Sequence, residues 1–203
     1  MKAMLYDWGG LNVWLFHLIN NCHGFWLDRF MRMGTFLGGH EMFPVYVAII
    51  GVTALFLALR GPWEDAGPWL LALAVFALAY NLDGLFLGWL KPLLNFPRPS
   101  LALPPGAAHV VGEMPLHHSL PSGHASFAML GAASLWPVLN RRGRYLAVGF
   151  VAWVGASRIS LGAHFPADVM AGFLTSLPIV LFTRALLENW MAARIVSHGW
   201  SPE

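Results

Sequence analysis

The chain has 203 residues, of which 57% are hydrophobic and 11% charged, with a mean hydropathy of +0.58. A soluble domain carries about twice that charged fraction, so composition assigns one domain, residues 1–203, whose solvent is largely lipid. A formal net charge of +2, with no basic run longer than Arg141-Arg142, argues against nucleic-acid binding, and the lone Cys22 excludes an intrachain disulfide.

Residues 9–36 come first and read two ways. Leu11, Val13, Trp14, Leu15, Leu18 and Ile19 are apolar, but Asn20, Asn21 and His23 interrupt them. Beyond that break Phe25, Trp26, Phe30 and Met31 alternate with Asp28, Arg29 and Arg32. The stretch is either a membrane span or an amphipathic helix lying at the interface, and the second reading is preferred. Lys2 and Asp7 precede it, and no small-residue cleavage site follows, so no cleavable signal peptide is expected.

Five apolar segments of near-spanning length follow, at 42–59, 68–90, 122–140, 145–162 and 166–187. The first holds no charge and the second one, Asp83, which is assigned to an interhelical hydrogen bond or to a nearby cation. Asn140 to Arg144 is a tight polar turn between the third and fourth. Pro166 opens the fifth at the position proline favours in a helix. The expected fold is all-α: a polytopic membrane helical bundle with five or six transmembrane helices.

Alternating spans place Arg60, Arg141, Arg142, Arg144, Arg184 and Arg194 on one side, expected to be cytoplasmic. Lys91, Arg98 and Arg158 fall on the other, against the usual bias, so they need a ligand of their own. The same end receives Pro121-Ser122-Gly123-His124 and the run from Ser157 to Asp168. Three cations, two histidines, a serine and a carboxylate converge there from three distant segments.

Each group has a definite chemistry. Lys91, Arg98 and Arg158 can clamp phosphate oxygens, arginine bidentately and lysine as a point charge. Ser122 suits an N-cap, and the backbone N–H groups of Gly123 and His124 then point at an anion where the helix dipole is positive. His164 and Asp168 are four residues apart across a helix start, so the carboxylate can orient the imidazole. His124 is left as a general acid. Taken singly, a histidine or cation at a span end is more often structural. The shared face and order make the set an anion site with acid–base groups.

The order Lys91, six residues, Arg98-Pro99; Pro121-Ser-Gly-His124; Ser157-Arg158, five residues, His164, three residues, Asp168 resembles the type 2 phosphatidic acid phosphatase superfamily over residues 68–187. The resemblance implies phosphate binding by Lys91, Arg98 and Arg158 with help from Ser122 and Gly123. It implies a phosphohistidine on His164, Asp168 as its partner and His124 as proton donor, with no metal and no cofactor. Ser160 departs from the aromatic residue many members carry there. Small members resemble undecaprenyl diphosphate phosphatases, so that lipid is the first expected substrate. Phosphatidylglycerophosphate, phosphatidic acid and lipid A phosphates stay open, as does phosphate transfer to a lipid acceptor. The expected partners are a membrane lipid phosphate and the bilayer, not nucleic acid. The expected location is the inner (plasma) membrane, with the site facing the periplasmic or exoplasmic side. The loop 99–121 also holds His109, Glu113, His117 and His118, whose spacing fits no standard metal site.

Overall fold

The computed structural model describes residues 6–197, and every regular element among them is helical. In chain order these are α1 (Leu11–Asn20), α2 (Phe25–Leu37), α3 (Phe43–Arg60), α4 (Trp63–Leu94), α5 (Pro99–Ala102), α6 (Gly123–Leu135), α7 (Arg141–Ser160) and α8 (Pro166–Ser197). Single 3₁₀ turns at Trp8–Gly10 and His40–Met42 precede α1 and α3.

Local sequence explains where the long helices begin and end. Glu64 and Asp65 occupy the first turn of α4, where the helix dipole favours negative charge. Asn95 stops α4 in the left-handed region (φ 45°), which asparagine tolerates better than most side chains. The Asn140 side chain caps α7 by accepting from Gly143 N at 2.9 Å. The far end of α7 closes on Gly162 (φ 74°), after which the backbone N–H groups of Ala163 and His164 return to Arg158 O. A side chain at Gly162 would also strike the His109 carbonyl.

Among the described residues three segments, His40–Arg60, Trp63–Ala102 and Pro166–Arg194, are long and apolar enough to cross a bilayer. The apolar stretch 122–140 forms a helix only over Gly123–Leu135. Thirteen residues rise about 20 Å, short of the roughly 30 Å hydrocarbon core. Helix α7 has the length, with Arg141, Arg142 and Arg144 at one end and Arg158 at the other.

Helix α6 packs between α4, α7 and α8 at the centre of the bundle, α3 lies against α4, and α2 against α7. Ile50, Val75, Phe76, Phe127, Leu130 and Val180 form the central core from α3, α4, α6 and α8. A second cluster, Phe16, Ala125, Ile159, Phe165 and Val169, joins α1 to α6, α7 and α8 near the polar end.

Residues 6–40 stay at that end. Asp28, near the start of α2, meets His109 (Oδ2 to Nε2, 3.1 Å), and His40, three residues past its finish, meets Gly123. Phe25, Trp26, Phe30, Met33 and Phe36 of α2 are exposed, with Arg29 and Arg32 among them. These two arginines, unassigned in the charge reading, lie at the polar end. At the opposite end Arg184 donates to Ser134 O at 2.8 Å and Arg144 to Trp136 O at 3.2 Å.

Candidate active site

A cavity of about 440 Å³ at the polar end is lined by Lys91, Arg98, His124, Arg158 and His164, with Gly123, Thr35 and His40 on its wall and Glu113 and Met114 from the loop above. The last turns of α4 and α7 bring Lys91 and Arg158, and Arg98 directly precedes α5. Gly123 and His124 open α6, and His164 lies in the connection to α8.

His164 is completely enclosed and its orientation is set from one side. Its Nδ1 lies 3.3 Å from Ser119 Oγ and 3.5 Å from Asp168 Oδ2. That leaves Nε2 as the ring nitrogen turned toward the cavity, with its lone pair free when Nδ1 carries the proton. Burial pushes the imidazole pKa down to about 4, against the opposing pull of Asp168. At neutral pH the ring is therefore uncharged.

Asp168, in the first turn of α8, accepts three further hydrogen bonds. Ser119 Oγ and the Phe165 backbone N donate to Oδ2 at 2.6 and 2.8 Å, and Tyr6 donates to Oδ1 at 2.8 Å. A carboxylate held this fully cannot turn away from the imidazole.

The cations are likewise held at chosen atoms. Arg158 donates through one terminal nitrogen to Thr35 Oγ1 at 2.9 Å, and Thr35 in turn meets Ser157 Oγ at 3.0 Å. Arg158 Nε has no partner among the described residues. Arg98 makes two longer contacts, 3.3 Å each, to the carbonyls of His117 and Ala163. No side chain obstructs the approach at Gly123: a Cβ there would stand 3.0 Å from His40 Nε2 and 3.7 Å from Lys91 Nζ.

Ser122 takes the extended backbone of an N-cap, yet its side chain makes no capping bond, and its buried Oγ is unpartnered among the described residues. Its backbone N donates instead to Asp168 O at 2.9 Å. Ser122 and Asp168 thus lie behind the cavity, while the other six site residues expected from sequence line it.

Of the other residues singled out in the sequence, Asp83 accepts from Ser126 Oγ at 2.6 Å, an interhelical bond between α4 and α6. His109 pairs with Asp28 and stacks on His23, and His118 Nδ1 lies 3.2 Å from Lys91 O.

Sequence reasoning missed Tyr6, Thr35, His40 and Ser119. Ser119 had a signal, standing just ahead of the Pro-Ser-Gly-His motif. His40 had a weaker one, a polar residue at the mouth of an apolar span.

Comparisons with known proteins bear on this arrangement. The PAP2 superfamily model matches residues 70–192, which hold all three motifs. Phosphatidylglycerophosphatase B of Bacillus subtilis is 30% identical over 175 residues, covering 77% of this chain and 72% of that one. An undecaprenyl-diphosphatase of Sulfolobus acidocaldarius is 28% identical over 165 residues, covering 81% and 73%. The crystal structure of Aquifex aeolicus LpxE superposes with a TM-score of 0.67 at 27% identity, over 85% of this chain and 94% of that one. On the family match and these likenesses the chain belongs to the PAP2 superfamily, among its integral-membrane lipid phosphatases.

Proposed function

We propose that the chain hydrolyses a lipid diphosphate, undecaprenyl diphosphate first among candidates, through a phosphohistidine on His164 and without a metal. The observation that carries this reading is that Lys91, Arg98 and Arg158 line one cavity together with His124 and His164. Three cations supply the charge neutralisation that a phosphoryl group needs in its transition state.

In this reading five segments cross the membrane, α3, α4, α7, α8 and α6 continued by the non-helical residues 136–140, and α1 and α2 lie at the interface. The site faces the exoplasmic side of the plasma membrane, opposite the arginines of the short loops. The lipid tail stays in the bilayer while the phosphate enters the cavity.

Lys91, Arg98 and Arg158 hold the non-bridging oxygens, assisted by Gly123 at the start of α6 and by Ser122 behind it. His164 Nε2 attacks phosphorus and Asp168 steadies the resulting imidazolium. His124 protonates the departing oxygen, and water then cleaves the phosphohistidine.

The test is phosphate release by detergent-purified protein from undecaprenyl diphosphate, phosphatidylglycerophosphate, phosphatidic acid and lipid A, with His164→Ala alongside. Release from undecaprenyl diphosphate, abolished in the variant, is expected. Release from a different lipid alone would replace the substrate, and release that survives in His164→Ala would reject the mechanism.

A further inference from the structure

We propose that His40 belongs to a second anion subsite, on the leaving-group side of the cavity, which takes the lipid-attached phosphate of a diphosphate. This rests on the phosphatase reading above and narrows its substrate class.

A second cavity of about 370 Å³ adjoins the first and shares His40, Lys91 and Gly123 with it. Beyond those three its wall changes character. His118 adds a further imidazole at the polar end, and Leu87, Gly84 and Gly88 of α4 make the other end apolar. Gly84 and Gly88 lie on the exposed side of α4, the side that faces lipid if α4 crosses the membrane as proposed. The chamber therefore runs from nitrogen groups into hydrocarbon, the gradient a phospholipid head and tail would follow.

His40 is fixed rather than free to swing. Its ring packs 5.7 Å from Tyr80 and 5.4 Å from Phe127, and lies 6.3 Å from the His124 ring. Its Nε2 faces the Cα of Gly123 from the same side as Lys91 Nζ. Neither ring nitrogen makes a hydrogen bond within the described residues, although the ring lines both cavities.

Chemistry distinguishes the two substrate classes at this point. When a phosphate monoester is cleaved, the leaving group is an alcohol oxygen, and one proton from His124 suffices. When a diphosphate is cleaved, the leaving group is itself a phosphate, whose charge needs counter-groups beyond the first site. His40 and the shared Lys91 stand where that second phosphate emerges. The bond between the outer phosphorus and the bridging oxygen breaks as the His164 Nε2–phosphorus bond forms. The bridging oxygen leaves on the lipid phosphate with a proton from His124, and water later releases inorganic phosphate.

The experiment compares farnesyl diphosphate with farnesyl monophosphate, so that only the second phosphate differs, using full-length wild type, His40→Ala and His40→Gln. In His40→Ala the loss of kcat/KM on the diphosphate should exceed that on the monophosphate by about tenfold, the scale of one hydrogen bond to a charged group. Inhibition by methylenediphosphonate should weaken more than inhibition by inorganic phosphate. His40→Gln, which keeps an N–H donor at similar reach, should recover much of the difference. Equal losses on both lipids, or no loss on either, would overturn the subsite and leave the phosphatase reading standing. Wild type inert toward both prenyl lipids and the whole lipid panel would instead overturn the reading beneath it.

Discussion

The Tyr6 hydroxyl donates to Asp168 Oδ1 at 2.8 Å, joining residues 162 positions apart. Burial, and then the neighbouring Asp168 charge, push the Tyr6 phenol above its ordinary value of 10, so it stays a proton donor throughout the working range. Tyr6→Phe keeps the ring packing against Phe96 and Phe165 and deletes only the donor. We expect kcat to fall about tenfold with KM changed less than about twofold, because one hydrogen bond to a charged group is lost. A steady-state split of the two constants checks this, and a shift in KM alone would assign Tyr6 to substrate binding.

Arg158 offers a planar fork, one prong of which is engaged by Thr35. Arg158→Lys should be nearly as damaging as Arg158→Ala, each losing about a hundredfold or more in kcat/KM, since a point charge reproduces neither the Thr35 bond nor bidentate grip on phosphate. Turnover by the lysine variant close to wild type would reject the bidentate role.

Gly162 cannot accept a side chain. Its positive φ is strained for alanine, and the new Cβ would overlap the His109 carbonyl. Gly162→Ala should cost at least about 2 kcal/mol of stability and displace His164 as well. A thermal melt in detergent beside an activity assay reads both effects.

Because burial holds His164 below the ordinary histidine value of 6.5, near 4, activity by the proposed mechanism should persist to unusually acid pH before this imidazole is protonated. Stability has the opposite tolerance. Between about 6.5 and about 4 the unfolded chain takes up a proton that the folded site refuses, so folding weakens as pH falls through that window and levels off below it. A kcat/KM profile with its acid limb at 6.5 would contradict the enclosed site.

Full activity is expected in excess chelator, because the proposed mechanism neutralises phosphate charge with Lys91, Arg98 and Arg158. Strong loss, restored by one divalent metal, would reassign the loop residues His109, Glu113, His117 and His118 as ligands.

Much of the site was legible in the sequence because its parts sit at span ends, where charge in an apolar chain stands out. Lys91, Arg98, His124, Arg158 and His164 line one cavity, as alternating spans require. The length of α6 was not legible, since apolarity continues past Leu135 while the helix does not. Nor were the supporting groups. Asn20 read as an interruption of an apolar run, yet it is fully buried. It donates to Ser160 O and His109 O and accepts from His109 N. Such roles depend on partners 89 and 140 residues away, which no local pattern encodes.

Helix α1 has a consequence for how the protein can be cut and rebuilt. Asn12 accepts from the backbone N of Ala167 in the first turn of α8, and Asn20 closes the carbonyl end of α7. One short helix thus supplies bonds to the ends of both helices that flank His164. The recognisable family span starts at residue 70, but Tyr6, Asn12, Asn20, Thr35 and His40 all precede it. A fragment trimmed to that span would retain every motif residue and lose the scaffold that aims them. Any chimera with a relative has to carry its own leading segment along with its own connection around His164, as a matched pair.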